Sequence, residues 1–119
     1  MSPSPADLIH RYYEAYETDR RDVLEEVLSL EYRFSSPVDD GIDRATYFEK
    51  CWPGHADFRE FQLLQLAFDG DHALVRYDAI RHDGTGFQNV EHFEIGSECI
   101  VRTDVYFGRP VGAVAERPA

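Results

Sequence analysis

Alternation of apolar and polar residues dominates the chain from Phe58 to Gly108. Four segments, FREFQLLQLAF, HALVRYDAIRH, FQNVEHFEI and ECIVRTDVYF, are separated by Asp69-Gly70-Asp71, Asp83-Gly84-Thr85-Gly86 and Gly96-Ser97-Glu98. Period-two alternation fits a half-buried strand, and Asp-Gly between such runs signals a hairpin, because glycine reaches positive φ without steric cost. The four segments are therefore expected to form an antiparallel meander with one face on a core.

Upstream, the period changes to that of a helix. Leu8, Ile9, Tyr12, Tyr13 and Tyr16 fall on a single stripe, preceded by Ser4-Pro5-Ala6-Asp7, which supplies an N-cap, a first-turn proline and a capping box. A helix from about Pro5 to Thr18 follows. Val23, Leu24, Val27 and Leu28 repeat the spacing in a second, shorter helix that reopens over Asp19 to Asp22. Tyr32 to Ser36 alternates as a short strand ended by Pro37, and Val38 to Ile42 reads as a loop. Asp43 caps a third helix through about Trp52, with Tyr47, Phe48, Cys51 and Trp52 on one face and Pro53-Gly54 as the stop. The tail RPVGAVAERPA has no amphipathic period and is expected to be loose. Helices segregated from antiparallel strands indicate an α+β domain, one unit over residues 1–119 with its core at about 6–108 and a loose tail at 109–119.

Composition narrows the partners. The 119 residues suffice for one hydrophobic core, and the net charge of -11 disfavours nucleic acid and anionic membrane surfaces. Lys50 is the single lysine, and the arginines are scattered. No apolar run approaches the roughly 20 residues of a membrane span. Asp7, His10 and Arg11 stand where a secretory signal would need apolar residues, so a cytoplasmic protein with Cys51 and Cys99 as reduced thiols is expected. The five histidines have no metal-ligand spacing, and neither a nucleophile elbow nor a glycine-rich phosphate loop is present. No metal and no cofactor are expected.

IHRYYEAY in the first helix, YRFSSPVDDG at the first strand, VEHFEI in the third meander strand and IVRTDVYFG in the last resemble the nuclear transport factor 2-like superfamily, in particular its SnoaL-like and ketosteroid-isomerase-like branch. The resemblance implies a cone: a curved antiparallel sheet wrapped over three N-terminal helices, enclosing an apolar pocket. It also implies frequent dimerisation through the outer sheet face. It leaves the activity open, since such proteins include isomerases, cyclases, epoxide hydrolases and members with no known reaction.

Strand parity selects the candidate chemistry. Phe93 and Ile95 must face the core, which turns Glu91 inward as well. Burial raises a carboxyl pKa, and a neutral carboxylic acid can donate a hydrogen bond to a developing oxyanion. The ketosteroid-isomerase resemblance implies a protonated acid at the position matched by Glu91 and a tyrosine donor at Tyr12. The family's aspartate base is matched by Ser36, leaving Asp39 or its neighbour Asp40 as the replacement candidate. Each has an ordinary alternative: a sheet-edge ion pair for Glu91, plain core for Tyr12, a turn for the aspartates. Val75, Tyr77 and Ala79, and Thr103, Val105 and Phe107, face inward by parity. Tyr16, Phe34, Trp52, Tyr77, Phe93 and Val105 are candidate ligand-binding residues, with Tyr47 and Phe48 as further wall and His55 near the mouth. The opposite face carries Arg76, Asp78, Ile80, His92, Glu94, Arg102, Asp104 and Tyr106, a mixture suited to a homodimer interface. The expected protein binds a small hydrophobic, carbonyl-bearing molecule and is a cofactor-free isomerase or cyclase. The alternative is a non-catalytic ligand-binding or dimeric interaction module.

Overall fold

Ser4 starts the first helix: its hydroxyl accepts from the Asp7 amide (3.1 Å) while the Asp7 carboxylate accepts from the Ser4 amide (3.3 Å). Two donors left unpaired by a helix start are thereby satisfied. In the computed structural model, which describes residues 3–112, this helix, α1 (Pro5–Thr18), ends at Asp19 in the left-handed conformation (φ 56°). Helix α2 (Arg21–Val27) packs beside it, and α3 (Arg44–Lys50) is capped by Asp43, whose side chain accepts from the Thr46 amide (2.9 Å).

Six strands form one curved, unclosed sheet: β1 (Leu28–Ser36), β2 (Asp39–Asp43), β3 (Phe58–Asp69), β4 (His72–Arg81), β5 (Thr85–Ile95) and β6 (Ile100–Gly112), in the order β2-β1-β6-β5-β4-β3. The long meander β3 to β6 is antiparallel throughout, and β1 joins β6 in parallel. Parallel neighbours require a crossover. Leu8, Ile9, Tyr12, Tyr13 and Ala15 of α1 and Tyr47 and Phe48 of α3 share one core with Val75, Tyr77, Ala79, Phe93 and Val105 of the sheet. Interruptions of register, at Leu63/Gln65 in β3 and at Gln88/Asn89 and Glu94/Ile95 in β5, mark irregularities of the kind that bend and twist a sheet. The architecture is the expected α+β cone.

Several local expectations are corrected. Val38 to Ile42 is not all loop, because Asp39–Asp43 folds back as β2 onto β1, pairing Ile42 with Phe34 and Asp43 with Arg33. The run Asp-Asp-Gly-Ile-Asp lacks the alternation by which a strand is recognised. Leu28 opens β1 instead of closing α2; the apolar run there is too short for its period to separate helix from strand. Helix α3 stops at Lys50, and Trp52–Asp57 forms a 3₁₀ turn with Pro53 in its first turn, where a missing amide donor costs nothing. Strand β6 extends to Gly112, so Arg109 to Gly112 are paired strand; the remaining tail, 113–119, lies outside the described residues. Phe107, inward by parity, is 58% exposed. Its neighbour Gly108 is the extra residue of a bulge, since Asn89 pairs with Phe107 and Gln88 with Arg109.

Candidate functional site

Strand β5 alternates buried and half-buried residues from Asn89 to Ile95, and this pattern carries Glu91 into the core at 3% exposure. Above it lies the tyrosine stripe of α1. The Tyr13 hydroxyl donates to Glu91 Oε1 (2.6 Å) and the Tyr12 hydroxyl to Oε2 (3.4 Å). Phe93, two residues along β5, meets Tyr12 edge to face (centroids 5.2 Å) and seats the helix over the carboxyl. The Tyr12 hydroxyl also lies 3.2 Å from that of Tyr47 in α3, which in turn bonds Tyr16. A chain of phenols thus runs from Tyr16 through Tyr47 and Tyr12 to Glu91 and ends at Tyr13. On the sheet side Tyr77 faces the same carboxyl. Its hydroxyl accepts from Asn89 Nδ2 (3.4 Å), and Asn89 Oδ1 accepts from the Gly108 amide (3.0 Å).

These groups enclose a cavity of about 150 Å³. Tyr12, Tyr13, Tyr16, Tyr47 and Tyr77 line it with Phe34, Phe58, Phe61, Phe87, Cys51 and Val105, and among the described residues Glu91 is the single carboxyl in the lining. Burial pushes the Glu91 pKa from 4.5 up to about 7, against hydrogen bonds from Tyr13, Tyr77 and Tyr12 that lower it. Desolvation therefore outweighs three donors. The phenols of Tyr12 and Tyr13 are pushed the other way from ionisation, upward, by burial and by the Glu91 charge. They remain donors. Burial also lifts the Cys51 thiol to about 11, so it lines the wall as a neutral group. A carboxyl that exchanges its proton near neutrality beside permanent hydroxyl donors can take up and return a proton while the hydroxyls hold a developing oxyanion.

Glu91, Tyr12, Tyr16, Phe34, Tyr77 and Val105 meet around this cavity. Phe93 is fully buried beneath Tyr12 and does not line it. Trp52 backs the wall, edge-on to Tyr16 (5.1 Å) and stacked on His55 (4.1 Å). His55 fastens the 3₁₀ turn to the end of α1: Nδ1 lies 2.7 Å from the Trp52 carbonyl and Nε2 2.7 Å from the Asp19 carboxylate. Asp39 stands apart at the start of β2, ion-paired to Lys50 (2.7 Å) and accepting from the Ser36 hydroxyl (3.3 Å), and it does not line the cavity. Tyr13 makes the shortest bond to Glu91 yet was singled out in the sequence only as a member of the α1 stripe. Its place beside Tyr12 on that stripe was the available signal. Among the described residues no cluster of three or more histidine, cysteine or acidic side chains has metal-binding geometry.

Fold and cavity together define a cone-shaped α+β protein built around one buried carboxyl. No family model and no curated protein matches the chain. Solved structures do. A nuclear transport factor 2-like protein of unknown function from Cytophaga hutchinsonii superposes with a TM-score of 0.74 at 15% identity, covering 91% of this chain and 93% of the other. A provisionally named polyketide cyclase from Sinorhizobium meliloti gives 0.68 at 22% identity, covering 83% and 93%. A provisionally named ketosteroid isomerase from Kribbella flavida gives 0.70 at 17% identity, covering 94% and 79%. The chain has the nuclear transport factor 2-like fold.

No helix among the described residues is long and apolar enough to cross a membrane.

Proposed function

We propose that the protein binds a small hydrophobic, carbonyl-bearing molecule in the tyrosine-lined cavity and catalyses a cofactor-free proton transfer on it, as in an isomerisation or cyclisation. The observation that carries this reading is the Glu91 carboxyl, buried, in contact with the Tyr13 and Tyr12 hydroxyls and with its pKa raised to about 7. The ionised form takes a proton from the carbon next to the carbonyl. The C–H electron pair moves to the carbonyl oxygen as an enolate, which the phenols stabilise, and Glu91 returns the proton to carbon. Atoms and charge balance without an oxidant. In this scheme Glu91 itself is the base, a role first considered for Asp39.

The test is α-proton exchange of phenylacetone in D₂O, followed by NMR with concentrated protein. Wild type should accelerate exchange, and Glu91→Gln should lose the acceleration while keeping its fold. Equal exchange by both proteins rules the proposal out. A second reading, a binding module without chemistry, is favoured by the lack of a second carboxylate in the lining among the described residues and by the Lys50 partner that occupies Asp39. It predicts binding of the ketone with no exchange.

The outer sheet face completes the proposal as a homodimer interface. Leu74 and Tyr106 are half-exposed there, beside the hydrogen-bonded series His72, His92, Asp104 and Arg102.

A further inference from the structure

Past the tyrosine cavity, β4, β5 and β6 continue into a second, larger cleft of about 500 Å³, with Arg81, Phe87, Asn89, Phe107, Arg109 and Pro110 in its lining. The two spaces adjoin. Phe87 lines both, and Asn89 in the wall of the cleft is bonded to Tyr77 in the wall of the cavity (3.4 Å). Phe107, 58% exposed beside the Gly108 bulge, supplies an apolar wall to this cleft.

Two cations border the cleft in a chain where 23 acidic residues outnumber 12 basic ones. Arg11, Arg20, Arg21, Arg59 and Arg102 each hold a carboxylate; Arg81 and Arg109, like Arg33, Arg44 and Arg76 elsewhere, form no ion pair among the described residues, and of these five it is Arg81 and Arg109 that line this cleft. Arg81 is positioned by neutral contacts, over the Phe87 ring (5.3 Å) and donating to Thr85 Oγ1 (3.2 Å). The nearby acid is Asp83, whose Oδ1 is already engaged by the Thr85 amide (2.9 Å) and hydroxyl (2.6 Å). Guanidinium groups present paired donors that match a carboxylate or phosphate, and an aromatic face beside them suits an apolar chain.

We infer that this cleft is the anion subsite of the ligand bound at Glu91. The inference rests on the reading of the tyrosine cavity as a ligand site and adds the substrate class: a compact carbonyl or ring head, an apolar linker over Phe87 and Phe107, and a terminal carboxylate or phosphate held by Arg81 and Arg109. Gln88, the strand partner of Arg109, is three residues from Glu91, and Thr85, bonded to Arg81, is six residues away. At about 3.3 Å per strand residue the anion stands roughly 10 to 20 Å from the carboxyl. The inner cavity, at about 150 Å³, accommodates a single ring.

The probes are 8-phenyloctanoate, its methyl ester and 8-phenyloctyl phosphate, titrated calorimetrically and by NMR of the Glu91 carboxyl carbon. Wild type should bind the acid at least about tenfold tighter than the ester, the scale of a charge-assisted pair. Arg81→Gln with Arg109→Gln should bring the acid to the affinity of the ester and leave the ester unchanged, while Arg81→Lys retains a preference. Tighter binding of the phosphate than of the acid assigns the anion as phosphate; the reverse assigns a carboxylate. Equal affinities for acid and ester in wild type, or a preference that survives both glutamines, overturn the anion subsite, even if Glu91 responds to both ligands. An arginine-dependent preference with no Glu91 response instead overturns the tyrosine cavity as the site of the head. Absence of binding by all three probes counts against both.

Discussion

Replacing Glu91 by glutamine should abolish a loss of stability that wild type suffers as the pH rises toward neutrality. The carboxyl titrates near 4.5 when exposed and at about 7 when folded, because burial opposes its charge. Below 4.5 both folded and unfolded chains hold the proton, and burial costs nothing in charge. Between 4.5 and 7 the unfolded chain has released a proton that the folded chain retains, so stability falls through this window and levels off above it. At 1.36 kcal/mol per pKa unit, the displacement from 4.5 to about 7 corresponds to about 3 kcal/mol. Glutamine keeps the shape and is never charged, and its amide oxygen can still accept from Tyr13. The difference in stability between variant and wild type cancels the titrations the two proteins share. Urea unfolding of both proteins at intervals from pH 4 to 8 reads that difference. It should move in favour of glutamine by about 3 kcal/mol across the range. Parallel stability curves would refute the reasoning. A difference moving in favour of wild type would mean that the phenol donors, not desolvation, dominate the carboxyl.

Tyr13→Phe removes the 2.6 Å donor that lowers the Glu91 pKa, and NMR titration should place the carboxyl above about 7; Tyr12→Phe, at 3.4 Å, should shift it less. Ser4→Ala deletes the α1 cap and should cost about 1 kcal/mol in urea unfolding. A β-carbon on Gly108 would stand 1.9 Å from the Gln88 carbonyl oxygen, so Gly108→Ala should destabilise by more than about 2 kcal/mol, whereas Gly54→Ala, with nothing within 4 Å, should stay within about 0.5 kcal/mol. Leu74→Glu combined with Tyr106→Glu on the proposed dimer face should give a monomer by light scattering, with wild type a dimer at the same concentration.

Periodicity resolves which side of an element a residue occupies, and it did so for Glu91, Tyr77 and Val105, each buried where parity places it. It fails where the period is broken or never starts. Parity places Phe107 opposite the buried Asn89, but there it borders an open cleft and not the core, and it stays 58% exposed. Asp-Asp-Gly-Ile-Asp forms β2 because Phe34 and Ile42 find each other across a hairpin, a pairing outside the reach of any local pattern. The site is a harder case of the same kind. Tyr12, Tyr13 and Tyr16 share one stripe, but which hydroxyl reaches the carboxyl depends on how α1 is rotated and advanced over β5, and Tyr13 and Glu91 are 78 residues apart. That rotation is set by packing, chiefly Phe93 against Tyr12 and Tyr13. Once it is set, two adjacent phenols take one carboxylate oxygen each, and among the described residues no lysine or arginine lines the cavity to neutralise the charge. Asp39 has such a cation in Lys50 and is held outside the cavity. Of the two acids weighed as proton carriers, Glu91 lines the cavity and Asp39 does not, so the proton of the proposed reaction is assigned to the carboxyl on β5.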